Sequence, residues 1–303
     1  QQLFRDRVWL PDSELSAVDQ ALAVNQEILQ TAWVEKGDIS VFDAMKRDVP
    51  WISLVDYMTS LDTSSDPDQV SIGDIIHYQD TNENWPVVDG YGELVTRWAA
   101  DVPVKLNTMV QEIHWGGQAV RLLTTRGDVH AEQVIVTVST GILGSGVIRF
   151  VPELPERKQA AIAALPLGNY NRIRLSIDPG VFPSDVPERV VVVSHDESPM
   201  ALSIRPYGFN CVVGVVGGRY ADWLERAGSA ASVAVVRDQL CMVFGYEIAK
   251  RITGDRQSAW RGDPLVKGAY SSALPGEFHQ RDRLSEPLDE RLFFAGEATS
   301  TNH

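Results

Sequence analysis

The stretch RLFFAGEATS, residues 291–300, is the most informative segment of the chain. Its first half predicts a short apolar strand that runs into Gly296, which has no Cβ and lets the backbone approach a ligand closely. Glu297 then presents a carboxylate that can accept hydrogen bonds from hydroxyl groups, and Ala298 and Thr299 can open a helix. A strand followed by Gly-Glu is in most proteins a simple turn, so the segment needs support from the rest of the chain.

Outward from this strand, hydrophobic spacing predicts helices first and strands later. Helical segments place apolar residues three and four positions apart, whereas strands alternate or are short and apolar. The predicted helices cover residues 14–34, 41–47, 52–58, 68–79, 91–100, 156–164 and 229–246. The predicted strands cover residues 104–106, 110–115, 119–125, 129–130, 134–138, 171–177, 190–194, 201–205, 211–216, 268–271 and 291–295.

Three further segments carry local predictions. The Ser- and Asp-rich residues 60–68 predict a surface loop, and residues 126–128 predict a hairpin turn. The run VIVTVS, residues 134–139, is nearly all apolar, which predicts a strand covered on both faces.

The order of elements predicts a mixed α/β (α+β) fold of two interleaved domains. Helices come first, a small β region follows, then a mixed region, and one strand returns at the end. We expect residues 1–85 and 146–285 to form one domain and residues 86–145 and 286–303 the other.

Composition excludes some classes of function. The 303 residues carry a formal net charge of −14, and an acidic surface repels phosphate, so nucleic acid is not an expected partner. Such a surface favours cationic ligands such as polyamines, although a soluble acidic surface is the simpler interpretation. No apolar stretch is long enough to cross a bilayer, and the first residues lack the pattern of a signal peptide.

The metal-binding residue types form no recognisable site. Cys211 and Cys241 stand in apolar surroundings without a CxxC or Cys/His cluster, which predicts no metal site. Two buried thiols are the expected state, with a single disulfide as the alternative. The six histidines are scattered, and none pairs with a Glu at helical spacing.

The segment at 291–300 resembles the C-terminal FAD motif of the flavin-dependent amine oxidases, the family of polyamine, spermine and monoamine oxidases. Other segments resemble the same family in the same order from about residue 84 onward, and the first third fits its substrate domain only loosely. These segments are NWPVVDGYGELV (84–95), VKLNTMVQEIHW (104–115), VIVTVSTGIL (134–143), FVPELPERKQAAIAALPLGNYNRIRLSI (150–177) and WRGDPLVKGAYSSALPG (260–276). The resemblance implies that residues 86–145 and 286–303 belong to a Rossmann-like FAD domain with a β-meander, and the rest to a substrate domain.

The resemblance also assigns residues to the cofactor. Val110 falls where the family's backbone contacts adenine, and Thr137 lies near the pyrophosphate. Trp260 and Ala269 belong to the segment that reaches the flavin face. Gly296 and Glu297 lie beside the ribityl-phosphate chain, and Ala298 and Thr299 begin the helix directed at the flavin ring. Monoamine oxidases bond FAD covalently through a Cys at the position of Ala269, so the resemblance implies non-covalent FAD here.

Two residues are the catalytic candidates implied by the resemblance. Tyr270 sits where the family places one wall of an aromatic cage, and such a cage excludes water and favours the neutral amine over the ammonium. Core packing is the alternative role for that tyrosine. Arg172 occupies the place of a family Lys that holds a water against flavin N5. Arginine stays protonated, so Arg172 can hold a water or an anion but cannot act as a base.

Two parts of the family pattern do not occur in this sequence. A strand–GxGxxG–helix unit, which the family carries near its N-terminus, is missing, and so are the helix after the Gly-Glu step and the second cage aromatic. The Gly-rich run at 140–146 has the spacing GxxGxG and is predicted to be a turn between domains. We therefore expect this chain alone to bind FAD weakly or not at all, with exposed edges on the strands at 134–138 and 291–295.

The leading functional hypothesis is an FAD-dependent amine oxidase. Hydride would pass from the carbon beside a neutral amine of a small molecule to flavin N5, and dioxygen would reoxidise the flavin to give hydrogen peroxide. One alternative is a related flavoenzyme that acts on an amino acid, a carotenoid or a porphyrinogen, because one fold hosts several chemistries. The other is a non-catalytic module that no longer binds FAD.

Overall fold

In the computed structural model, which describes residues 2–79, 83, 85–193 and 198–301, the strands form three sheets. The helices are α1 Asp12–Lys36, α2 Val41–Ala44, α3 Ile52–Thr63, α4 Ile72–Ile76, α5 Tyr91–Trp98, α6 Thr140–Leu143, α7 Glu156–Ala164, α8 Gly218–Ala227, α9 Ser229–Phe244 and α10 Gln280–Ser285. The strands are β1 Gln2–Arg5, β2 Val8–Trp9, β3 Val110–His114, β4 Val120–Thr124, β5 Gly127–Ala131, β6 Val134–Val136, β7 Arg149–Val151, β8 Tyr170–Ile177, β9 Arg189–Val193, β10 Met200–Ile204, β11 Cys211–Gly217, β12 Ile252–Gln257 and β13 Leu292–Phe294.

The largest sheet has seven strands in the order β12-β8-β11-β10-β9-β1-β2. Its neighbours are antiparallel except for β1 and β9, which run parallel. Strand β8 alternates strictly, because successive side chains point to opposite faces. Ile173, Leu175 and Ile177 are buried against α8 and α9, whereas Arg172 and Arg174 face the other way and are exposed.

The other face of this sheet is covered only over part of its width. Helices α1 and α3 pack on the half formed by β1, β9 and β10, where Leu3, Leu54 and Val191 share one core. The hydroxyl of Tyr57, on α3, donates to the carbonyl of Val215 at 2.9 Å and accepts from the amide of Ala201 at 2.7 Å. This side chain therefore ties α3 to β10 and β11, and the half around β8 and β12 stays open.

Two smaller sheets share a second core with α7 and α10. One has the order β5-β4-β3-β7, and the other pairs β13 with β6 in parallel, with Leu292 opposite Val134 and Phe294 opposite Val136. Leu292 is fully buried, and Phe294 is 6% exposed. The mixture of helices and sheets confirms the predicted fold class, whereas the exact domain boundaries stay a prediction.

Several sequence predictions are confirmed with adjusted ends. The long first helix ends at Gly37, whose φ of 75° suits glycine, and the β3–β4–β5 meander, α5, α7, α9 and the strands β8–β11 form as expected. The predicted turn lies slightly earlier, since β5 already begins at Gly127. The strand predicted at 190–194 forms as far as Val193, and residue 194 lies outside the described part of the chain. Both cysteines are buried free thiols, as expected, so the alternative of a disulfide is wrong.

The predicted surface loop at 60–68 is wrong. Residues 60–63 continue α3, and Ser60, Ser64 and Ser65 are buried, because each hydroxyl has a partner inside the protein. The backbone of Ser64 also lies so close to Gly168 that a Cβ there would stand 2.0 Å from the Ser64 oxygen. Close packing against a glycine therefore holds a polar segment in the interior.

Other predicted elements also differ from the observed structure. Residues 104–106 and 268–271 form no regular strand; the latter make only the bridge between Leu167 and Ser271. The predicted helix at 68–79 shortens to a 3₁₀ turn and α4. The strand at 134–138 is not covered on both faces, since Ile135 is 64% exposed. Local sequence patterns gave no sign of β1, β2, β7, β12, α6, α8 or α10.

A buried lysine anchors the end of α10. Lys158, on α7, is 1% exposed, and its ammonium donates to the carbonyls of Arg283, Leu284 and Glu286 at 2.8, 2.8 and 2.6 Å. The last carbonyls of a helix have no partner within the helix, so three donors on one nitrogen satisfy three of these groups. Burial lowers the pKa of Lys158 to about 8, which leaves it cationic at neutral pH. The ammonium also lies 4.5 Å from the centre of the Phe294 ring.

We predict that Lys158→Met destabilises the fold although it preserves the length of the side chain. The three carbonyls would stay buried without donors, and the free energy of unfolding should fall by about 3 kcal/mol. Urea unfolding followed by far-UV circular dichroism measures the change.

The exposed Lys105 provides the matched control for Lys158. Lys105→Met removes the same charge without uncovering a buried carbonyl, and its unfolding free energy should stay within about 0.5 kcal/mol of the wild type. Equal losses for the two variants would contradict the role assigned to Lys158.

Candidate functional site

A cavity of 440 Å³ opens where β6 and β13 end. Both strands run in the same direction, so their carboxyl ends meet at one edge, which is where ligands bind in α/β sheets. The volume lies within the range of small-molecule sites, roughly 300–1,000 Å³. Six of the predicted cofactor residues line it: Thr137, Ala269, Gly296, Glu297, Ala298 and Thr299.

Gly296 makes the turn at the end of β13. Its φ of 132° belongs to the region that favours glycine, and a Cβ at this position would stand 3.8 Å from the carbonyl of Thr137. The following residues, Glu297–Thr299, form one 3₁₀ turn. The backbone therefore leaves the strand and bends along the cavity wall without a side chain in the way.

The carboxylate of Glu297 is held from one side by Ser271. Both oxygens of the carboxylate lie 3.2 Å from the amide of Ser271, and Oε2 also accepts from the Ser271 hydroxyl at 2.9 Å. These bonds set the direction of a carboxylate that lines the cavity. They also connect the last segment of the chain with the segment that carries Ala269 and Tyr270.

A buried ion pair stands behind Ser271. Arg281, on α10, binds Asp74, on α4, through two bonds, Nε to Oδ1 at 2.6 Å and Nη2 to Oδ2 at 2.8 Å. Its remaining bonds go to the hydroxyl and carbonyl of Ser271, at 2.9 and 3.1 Å, and to the carbonyl of Ala298 at 3.4 Å. Burial alone would lower the pKa of Arg281, but Asp74 and the charge of Glu297 outweigh it, and the pKa is raised. The arginine is therefore a fixed cation.

Tyr270 directly follows Ala269 of the cavity wall and is not itself one of the lining residues. Its hydroxyl donates to the carbonyl of Leu61, its carbonyl accepts from the hydroxyl of Ser64 at 2.8 Å, and burial raises its pKa. Its ring centre is 6.0 Å from that of Tyr170, and the guanidinium of Arg172 lies 5.8 Å from the Tyr170 ring. The two predicted catalytic residues thus belong to one cluster, joined by Tyr170, next to the wall that carries Ala269.

Two predicted cofactor residues do not line the cavity. Val110 lies at the start of β3 and packs against the second core, and Trp260 is 44% exposed in the segment after β12. Their contacts with the cofactor stay a prediction.

The Gly-rich run at 140–146 does not form a phosphate-binding loop. Ser139 caps the four-residue helix α6 by accepting from the amide of Ile142 at 3.2 Å, and it donates to the carbonyl of Val266 at 2.6 Å. Gly141 leaves room for a neighbouring segment, because a Cβ there would stand 2.9 Å from Leu167 and 3.1 Å from the Val266 carbonyl. The glycine is used for close packing at the cavity wall.

Ser271, Arg281 and Asp74, which hold the site together, were not among the residues predicted from the sequence. Ser271 follows the predicted cage tyrosine directly, and its hydroxyl was the available signal. Arg281 and Asp74 stand far apart in the sequence, in segments whose local pattern gives no sign of pairing.

The lining suits part of an FAD molecule. Apolar residues such as Val138, Leu143 and Leu265 fit an uncharged ring system, and the Glu297 carboxylate fits the hydroxyls of a ribityl chain. None of the described lining residues is a cation that could meet a pyrophosphate. The chain therefore supplies one wall of such a site. Within the described residues no His, Cys, Asp and Glu side chains cluster as metal ligands do, and no helix is long and apolar enough to span a membrane.

Comparison with known proteins identifies the family. The model of the family described as flavin containing amine oxidoreductase matches residues 49–303. Polyamine oxidase 4 of Oryza sativa subsp. japonica is 30% identical over 220 residues, which cover 72% of this chain and 45% of that protein. Lysine-specific histone demethylase 1 homolog 3 of the same rice is also 30% identical, over 71% of this chain and 28% of that protein. The chain thus spans less than half the length of these relatives.

Solved structures agree on the fold. Cyclohexylamine oxidase from Brevibacterium oxydans IH-35A superposes with a TM-score of 0.78 at 16% identity, over 100% of this chain and 75% of that one. This similarity confirms the predicted two-domain architecture of the FAD-dependent amine oxidases. By the extent of the family match, the chain belongs to the flavin containing amine oxidoreductases.

Proposed function

We propose that the protein oxidises the C–N bond of a small-molecule amine with non-covalently bound FAD, giving an imine or aldehyde and hydrogen peroxide. The cavity at the ends of β6 and β13 carries the proposal, because Thr137, Ala269 and Gly296–Thr299 all line it. When bound, FAD would accept the hydride at N5 and return the electrons to dioxygen.

The chain's own residues would hold the cofactor and exclude water. Glu297 would accept hydrogen bonds from hydroxyls of the ribityl chain, with Ser271 keeping its carboxylate in place. Thr137 and Gly296 would allow close backbone approach. Without a cation in this lining, the described residues alone would retain little FAD.

Tyr270 and Arg172 would act on the substrate side. Two hydrogen bonds fix Tyr270, and a raised pKa keeps its hydroxyl neutral, so an apolar ring face can favour the free amine. Arg172 would hold a water or an anion through the N–H donors of its guanidinium. The amine would then either lose its proton to solvent or bind already as the neutral free base.

We predict that the protein expressed from its complete reading frame, loaded with FAD, produces peroxide with at least one amine. A peroxidase-coupled assay with polyamines, monoamines and amino acids measures the rate. Heat-denatured protein with equal FAD is the control. A flavin-loaded protein that oxidises none of these amines would refute the proposed function.

We predict that acid precipitation of the full-length protein loaded with FAD releases the flavin, because Ala269 has no nucleophile for a covalent bond to it. Flavin absorbance should appear in the supernatant at one equivalent per protein. Flavin retained in the washed pellet would show a covalent bond and exclude this assignment.

Glu297→Gln should weaken FAD binding about tenfold or more, because the neutral amide accepts weaker hydrogen bonds than a carboxylate. Fluorescence titration of the full-length apoprotein with FAD gives the dissociation constant. Glu153→Gln changes an exposed carboxylate outside the cavity and serves as the control. If both variants bind FAD like the wild type, Glu297 has no part in the cofactor site.

A further inference from the structure

A carboxylate on α8 joins the two segments that form the substrate side of the site. Oε2 of Glu225 accepts from the side-chain amides of Asn169 and Asn171 at 2.9 and 2.8 Å. The other oxygen, Oε1, accepts from the backbone amide of Gly262 at 2.6 Å. The two asparagines stand at the start of β8, and Gly262 lies in the segment after β12 that leads to Tyr270. One side chain therefore connects segments that are far apart in the sequence.

The two asparagines flank Tyr170 and hold the backbone from which it projects. Asn169 and Asn171 are 0% and 2% exposed. Because successive side chains of a strand point to opposite faces, both point towards α8 and Tyr170 points away from it, with its ring 6.0 Å from that of Tyr270. Asn169 is held twice more, since its Nδ2 donates to Asp222 at 2.9 Å and its Oδ1 accepts from the amide of Tyr170 at 3.0 Å.

A chain of hydrogen bonds continues from Glu225 to Arg172. The hydroxyl of Ser258 donates to Oδ1 of Asn171 at 3.0 Å, and it accepts from the backbone amide of Arg172 at 2.9 Å. Every donor in this chain points towards the carboxylate, and hydrogen bonds in such a series polarise one another. The backbone of Arg172 is therefore fixed through two side chains to a residue on α8.

The partners of Glu225 require an acceptor. Burial alone would raise the pKa of Glu225, but the hydrogen bonds from Asn169, Asn171 and Gly262 outweigh it, and the pKa is lowered. A carboxylate only accepts, whereas a glutamine would bring its NH₂ group against these N–H groups. Asn171 would accept from that NH₂ only by turning its own amide over, which would direct Nδ2 instead of Oδ1 at Ser258.

We propose that Glu225 is a positioning residue, which holds Tyr170 and Arg172 of β8 in place against Tyr270. This inference rests on the proposed function, in which Tyr270 and Arg172 act on the substrate side. Glu225 is not among the residues that line the cavity, so its substitution should leave the Glu297 carboxylate in place. A shift of 1 Å in a positioning group can lower a rate about a hundredfold, even when the change lies far from the reacting atoms.

The kinetic experiment uses the full-length protein loaded with FAD and the amine that the wild type oxidises fastest. We expect kcat/KM to fall about tenfold or more in Glu225→Gln. The dissociation constant of FAD should stay within about twofold of the wild type, because the cavity lining is unchanged. Equal losses of turnover and of FAD affinity would show a general structural role and overturn the inference.

Glu247→Gln is the matched control for Glu225→Gln. The side chain of Glu247 is 85% exposed and pairs with Lys250 at 2.7 Å. The same chemical change there should alter neither kcat/KM nor FAD affinity.

Ser258→Ala tests the other end of the hydrogen-bond chain and carries the test alone if Glu225→Gln does not fold. It should lower kcat/KM while FAD binds as to the wild type. Both substitutions act on Arg172 through Asn171, so the double variant should lose less than the product of the two single losses. A double loss equal to that product, or an unchanged kcat/KM in Ser258→Ala, would contradict the connection.

Hydrogen exchange separates this inference from the proposed function. Mass spectrometry of the FAD-loaded protein measures amide exchange in peptides that cover residues 167–175 and 259–271, without turnover. In Glu225→Gln both peptides should exchange about tenfold faster, and peptides of β13 should match the wild type.

Unchanged exchange in both peptides overturns the inference, and so does an unchanged kcat/KM beside faster exchange. Either result leaves the amine oxidase proposal intact. A wild type that oxidises no amine refutes the proposed function alone, and exchange then decides whether Glu225 holds the two segments together.

Discussion

The buried pairing of Arg281 with Asp74 is the interaction on which the cavity depends. One guanidinium reaches α4, the Ser271 segment and the carbonyl of Ala298, three parts of the chain that are separate in the sequence. Burying a charge is costly unless it is paired and hydrogen-bonded, and here both partners are satisfied. Loss of one partner would leave an uncompensated buried charge, which typically costs about 3–5 kcal/mol. The direction of the Glu297 carboxylate follows from this arrangement, because Ser271 connects the two.

Two buried cations hold helix α10, one at each of its ends. Arg281 fixes its first turn to α4, and Lys158 satisfies the carbonyls at its last turn. Only a short link then separates the helix from β13, whose Phe294 lies under the Lys158 ammonium. Two buried cations therefore determine where β13 runs and where Gly296 turns into the cavity. A helix of six residues has little stability of its own, so these contacts supply what helix propensity cannot.

The arginines of this chain differ in whether they pair with a carboxylate. Most arginines neutralise carboxylates on the surface, as expected for a protein with 41 acidic and 27 basic residues. Arg172 departs from that pattern, because its guanidinium lies 5.8 Å from the ring of Tyr170, which neighbours Tyr270. The relatives named for polyamines and histone lysines share the family with this chain, and family membership alone does not transfer their substrates.

The sequence by itself determined the family, the fold class and much of the cavity lining. The run at 291–300 predicted a strand, a glycine turn and a carboxylate because those features are local. Tertiary structure alone decided that Ser60–Ser65 are buried, that Ile135 is exposed, and that Arg281 and Asp74 meet. The physical reason is that burial and pairing of polar groups depend on which distant segments come together, and no local period of the sequence records that contact.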